Sequence, residues 1–283
     1  MGGMTAPAAP DAHIGPTDPT SPEPTLVLER DGGIATVRFN RPAVFNALDR
    51  PTKTALVQAL GEVAADPGVR CVVLTGTGRA FCVGEDLRAH TEALMWGAGD
   101  LASTVTEHYN PSAEQLATMP KPVIAAINGV AAGAGTSFAM AADFRIMAAS
   151  GGMNLAFAGI GLSCDTGASF WLPRLVGVAK AKELLLLPRT VGAEECLALG
   201  LVTEVVPDDQ LAGRVAELAT RLAAGPTVAY GAMRRAIAYA AAHPLSDALA
   251  VERDFMQLTG DTQDHLDAVR AFVEKRSPEF HGR

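Results

Sequence analysis

The chain has 283 residues and a mass of 29.3 kDa; 48% of the residues are hydrophobic, 19% are charged, and the formal net charge is -8. That apolar content excludes disorder of the whole chain, and the length suits one large domain or two small ones. The acidic balance argues against nucleic acid as a partner, and no apolar run approaches the roughly 20 residues of a membrane span.

Residues 1–24 hold six of the 18 prolines and show no hydrophobic periodicity. They read as a disordered extension, without the basic start and apolar stretch of a secretory signal. Order is expected from Thr25. The alternation in 25–29 and 34–39 around Asp31-Gly32-Gly33 predicts a β-hairpin. A helix is predicted over about 51–65, with Leu56, Leu60 and Val63 on one face, followed by a buried strand at 71–75. The stretch holding His90 and His108 is polar and interrupted by Gly and Ala, and reads as a mobile connection. A second cycle gives a strand over 122–127, a turn at Asn128-Gly129, a helix near 133–142 and a strand near 144–147. Such alternation indicates an α/β domain with a largely parallel sheet. From about Ala179 the pattern is almost wholly helical, over 208–223, 228–241, 246–258 and 263–275. No linker separates this part from the body.

The cysteines Cys71, Cys82, Cys164 and Cys196 are widely spaced, so neither a metal site nor a disulfide framework is expected, and a reducing cytoplasm is the default. Three segments are able to carry chemistry. The first, 79–87, follows a buried strand and contains Gly84; it presents backbone N–H groups or is an ordinary turn into a helix. The second, 128–137, is a small-residue turn that opens a helix. Its free N–H groups suit an anion, and its small residues equally suit close packing. The third holds Asp165 after a run without charge. A carboxylate there either does chemistry or caps the helix that follows.

Together these residues resemble the enoyl-CoA hydratase/isomerase (crotonase) superfamily. The matching segments are Asn40-Arg41-Pro42, Phe45-Asn46-Ala47-Leu48, 81–87, Lys121-Pro122 through Ala134-Gly135, Leu172-Pro173-Arg174, Val176-Gly177, 198–202 and 271–278. The resemblance implies a spiral of ββα units over 25–200, with a helical C-terminal region of the same domain over 201–283 that builds homotrimers or hexamers. It implies an acyl-CoA substrate and no cofactor beyond the coenzyme A that the substrate carries. By position it implies that the backbone N–H groups of Glu85 and Ala134 form an oxyanion hole. Ala47, Val83, Gly84, Asp86, Leu87, Phe157, Phe272 and Lys275 fall at positions that contact substrate or CoA.

The departures are informative. Hydratases of the superfamily place two glutamates at the positions of Ser137 and Phe157 here, and neither residue can activate water. Asp165 instead matches an acid/base carboxylate, and the closest resemblance is to the ring-epoxide (oxepin-forming) isomerases of phenylacetyl-CoA breakdown. The expected activity is therefore enoyl-CoA isomerisation with Asp165 moving the proton. The alternatives are a hydratase that borrows Glu107 or Glu114, and a catalytically weak acyl-CoA-binding trimer.

Overall fold

The structure is a computed structural model that describes residues 23–95 and 101–283. The extension expected over 1–24 therefore lies outside the described residues, apart from Glu23 and Pro24.

Strands β1 (Leu26–Asp31) and β2 (Ile34–Phe39) form the antiparallel hairpin, and α1 (Arg50–Ala65) follows with Asp49 accepting the Thr52 N–H as its cap. Next come β3 (Cys71–Gly76), β4 (Ala80–Cys82), α2 (Leu87–Met95) and α3 (Leu101–Thr104). A π-helical turn, Val105–Tyr109, leads into α4 (Asn110–Thr118). The second cycle comprises β5 (Val123–Ile127), β6 (Val130–Ala132) and α5 (Ala134–Ala141), and the third opens with β7 (Phe144–Ala148) and β8 (Gly152–Asn154). The rest is α6 (Ala168–Leu186), β9 (Val191–Gly192), α7 (Ala193–Ala198), β10 (Glu204–Val206), α8 (Leu211–Ala223), α9 (Thr227–Ala240), α10 (Leu245–Gly260) and α11 (Gln263–Val273). The stretch read as mobile is thus helical on both sides of residues 96–100. Its π turn shifts the phase of the apolar positions, which hides the helix from a periodicity reading.

The strands form two sheets. The larger runs β1-β2-β3-β5-β7-β10, parallel apart from the hairpin, and the smaller runs β4-β6-β8-β9. Three times the chain leaves a strand of the large sheet for a strand of the small one: β3 to β4, β5 to β6 and β7 to β8. That repeat is the spiral. The central strands β3 and β5 are buried on both faces and read as apolar runs, whereas the hairpin strand β2 alternates. Cys71, Val73, Ile124 and Ala126 pack with Leu211, Val215 and Leu222 of α8. Val72, Leu74, Val123 and Ala125 face the main core, with Phe81, Cys82, Ala131 and Met153 of the small sheet. The three cysteines in these cores behave as small apolar groups: burial pushes the Cys71 and Cys82 thiols up to about 12 and that of Cys196 to about 11.

Candidate active site

The parallel strands β4, β6 and β8 point the same way, so the segments that follow them leave from one end of the small sheet. Ligand sites in parallel sheets gather at such carboxyl ends. Here the three exits border a cavity of about 120 Å³, walled by Val83, Glu85 and Leu87, by Gly133 and Ala134, and by Ala156, Phe157, Ile160, Leu162 and Asp165. His90, Leu101, Thr104, Val105 and Tyr109 of the helices after β4 complete its described walls.

Backbone geometry orients the first exit. The Leu48 N–H donates to the Gly84 carbonyl at 2.8 Å and the Asp86 N–H donates to the Leu48 carbonyl at 3.1 Å. Both bonds use the neighbours of Glu85, so its own N–H is turned away from Leu48 and has no acceptor among the described residues. Gly84, at φ +81°, lies against the second exit; a Cβ there would sit 3.0 Å from the Ala132 carbonyl oxygen and 3.2 Å from the Ala134 nitrogen. Ala134 opens α5 and has no helical acceptor for its N–H, and the preceding Gly133 adopts φ +50°. Gly135 lets α5 touch β4, since a Cβ there would fall 2.0 Å from the Cys82 carbonyl oxygen. Two unpaired N–H groups, one of them at the positive end of a helix, therefore border a single apolar-walled cavity. Such a pair stabilises negative charge that develops on an acyl oxygen.

Asp165 reaches the cavity from the third exit. The cap of α6 is Gly167, with no side-chain cap bond, and Asp165 contributes only its backbone carbonyl, to the Ala168 N–H at 2.9 Å. The capping alternative for its carboxylate is thus overturned. Its Oδ1 instead accepts from Thr166 Oγ1 at 2.8 Å. Thr166 is buried and sits at φ 54°, a costly conformation for a β-branched residue, and one that concentrates at functional sites. Burial raises the pKa of Asp165 from the ordinary carboxylate value; the Thr166 bond opposes the rise and the charge of Glu85 adds to it.

The structure adds a feature that the sequence reading missed. The Glu85 carboxylate receives Lys53 Nζ on both oxygens, at 2.8 and 2.9 Å, and also accepts the Tyr109 hydroxyl. Lys53 Nζ lies 5.4 Å from the Tyr109 ring centroid, and both residues are buried. The Tyr109 phenol is held well above its ordinary range by burial and then by the Glu85 charge. Lys53 lies in phase with Leu56, Leu60 and Val63 on the buried face of α1, and a lysine on an apolar stripe requires an anion. That was the available signal.

The other expected residues divide. Val83, Leu87 and Phe157 line the cavity, and Gly84 closes it from behind. Asp86 is held by Arg41 at 2.9 Å and accepts the Arg88 and Ala89 N–H groups at the start of α2; Ala47 is buried and its carbonyl accepts from Arg41. Phe272, 84% exposed, and Lys275 lie at the far end of the chain, on and just after α11, away from the cavity walls. Ser137 is fully buried and bonds back to Gly133. Glu107 and Glu114 are exposed, with Glu107 3.9 Å from Arg50, and neither lines the cavity. The second carboxylate at the site is Glu85.

Residues 29–283 match the model of the family described as enoyl-CoA hydratase/isomerase. The chain is 40% identical over 251 residues to the 1,2-epoxyphenylacetyl-CoA isomerase of Escherichia coli, covering 89% of this chain and 96% of that protein. It is 32% identical over 255 residues to a short-chain-enoyl-CoA hydratase of Clostridium acetobutylicum, covering 90% and 96%. A crystal structure from Mycobacterium abscessus superposes with a TM-score of 0.87 at 41% identity, covering 91% of this chain and 100% of that one. With the family's match running from the first strand to the last residue, and the same fold in a relative of known structure, the chain belongs to the enoyl-CoA hydratase/isomerase family.

Proposed function

We propose that this protein is a CoA-thioester isomerase in which Asp165 moves a proton along the acyl chain, shifting a double bond or rearranging a ring epoxide. The carrying observation is the sorting of the two carboxylates at the cavity. Glu85 already accepts hydrogen bonds on both oxygens from Lys53 and Tyr109, whereas Asp165 has one side-chain bond, from Thr166, and a raised pKa. Environments that separate two carboxylates in this way assign the proton-transfer role to the less stabilised anion.

In this reading the thioester oxygen lies between the N–H groups of Glu85 and Ala134, which lowers the cost of enolate formation. Removal of one such donor typically costs about 3 kcal/mol of activation free energy. Asp165 takes the proton from the α or γ carbon and returns it elsewhere on the conjugated system. A 1,3-shift needs only one carboxylate, whereas addition of water calls for activation of the water as well, and the Ser137 and Phe157 side chains cannot provide it. The likeness to the 1,2-epoxyphenylacetyl-CoA isomerase favours the same choice, and the likeness to the short-chain-enoyl-CoA hydratase defines the alternative. The test is to assay one purified sample against β,γ-enoyl, aryl-epoxide and α,β-enoyl CoA esters. Isomerisation of one of the first two is expected. Hydration of crotonyl-CoA at ordinary enzymatic rates, without isomerisation, overturns the reading.

A further inference from the structure

The sorting of the carboxylates depends on two residues that line different parts of the fold. Lys53 comes from the second turn of α1, Glu85 from the exit of β4, and Tyr109 from the end of the π turn. The three meet behind the oxyanion-type N–H of Glu85. Among the described residues, Lys53 is the cation whose charge acts on Asp165. The charged and titratable groups that face Asp165 are Glu85, Lys53 and Tyr109, with His90 of α2 on the cavity wall and Cys82 behind Tyr109. His108 is engaged with Thr54, at 3.2 Å, on the other side of the turn.

Without Lys53, the cavity would hold two anions at close quarters. Neighbouring like charges suppress each other's ionisation, and a paired cation weakens that effect. The pairing also explains a buried lysine: an unpaired ammonium there would be costly, and a paired one is tolerated where both carboxylate oxygens are engaged.

We propose that Lys53 and Tyr109 are positioning residues that act through Glu85: the Lys53 charge partly offsets that of Glu85 so that Asp165 ionises as a base, and the two hydrogen-bond donors hold the loop whose N–H meets the thioester oxygen. This inference deepens the isomerase reading and rests on it. Tyr109 borders the cavity and Lys53 does not; in this account each acts by what it does to Glu85.

The test is the pH profile of kcat/KM for isomerisation, measured for the wild-type protein, Lys53→Met, Glu85→Gln and the double variant. Activity rises with pH as Asp165 ionises, and this limb is the readout. Lys53→Met leaves Glu85 uncompensated and moves the limb to higher pH. Glu85→Gln removes the anion and moves it to lower pH. A displacement of about one pH unit in each direction is expected, a roughly tenfold change in rate on the acid side. The double variant, with both charges removed, brings the limb back toward the wild-type position, and Lys53→Arg retains it. A purely structural pair would lower rate or stability in the single variants without opposite displacements, and coincident limbs overturn the inference. Should Lys53→Met fail to fold, Glu85→Gln and the double variant still decide. Asp165→Asn separates the two layers: retained activity removes the isomerase reading and this inference together, whereas lost activity with unmoved limbs removes only the inference.

Discussion

Asp165 shows how surroundings set the charge preference of one side chain. It lies at the exit of the small sheet, after a run without charge, with Thr166 as its hydrogen-bond donor and Glu85 as a neighbouring anion. Its pKa is raised, so the anion is less stable in the folded than in the unfolded chain. Below the ordinary carboxylate range the group is protonated in both states and costs nothing. As the pH climbs through the raised value, the folded protein must hold a charge that prefers water, and that part of the stability is lost. Asp165→Asn is therefore expected to stabilise the protein more at about pH 8 than at about pH 4, in urea unfolding at both values. Equal effects at the two values would contradict the shift. The carboxylate was visible in the sequence because nothing charged precedes it. Its Thr166 partner was not, because a backbone conformation at φ 54° cannot be read from residue type when the residue is threonine.

At the scale of elements, long apolar or periodic segments were legible and short ones were not. The hairpin, α1, β3, β5, α5 and α8 to α11 lie within a few residues of where alternation and helical spacing put them. Strands β4, β6 and β8 have three residues each, too few for any period, yet they make the sheet whose exits carry the site. Lys53 and Tyr109 were missed for related reasons. One was treated as an ordinary helix residue despite its place on the apolar stripe, and the other lies in a π turn that breaks the helical phase. Gly84 ties two of the short exits together. Its positive φ strains any side chain there, and the 3.0 and 3.2 Å approaches require the second exit to give way to a methyl group. Gly84→Ala should displace the Glu85 N–H from Ala134 and lower kcat/KM by roughly 10²–10³, with the helical circular dichroism retained. A loss of less than about twofold would show that the pairing of the two N–H groups is unimportant.

At the scale of the whole molecule, the C-terminal helices carry more apolar surface than one copy covers. Ile237, Leu245, Met256, Phe272 and Val273 are each at least 73% exposed, on α9, α10 and α11. Large exposed apolar areas mark association sites. We propose a homotrimer, or a hexamer of two trimers, built through this region, with a sedimentation-equilibrium mass of three or six times 29.3 kDa. The mass of a single chain at micromolar concentration would contradict it. Helicity of this region was legible from spacing, whereas its partner was not, since an exposed leucine and a covered one look alike in a sequence. No described helix is long and apolar enough to cross a membrane. In the proposed reading, the two sheets, the three converging exits and the paired Glu85 all serve one event, transfer of a proton by Asp165. Turnover of a β,γ-enoyl-CoA ester or aryl-epoxide CoA ester by Asp165→Asn, set against the wild-type protein, tests that event most directly. The account predicts a fall in kcat of about 10²–10⁴ with CoA-ester binding preserved, the usual contribution of a positioned acid/base group. Undiminished isomerisation would contradict it.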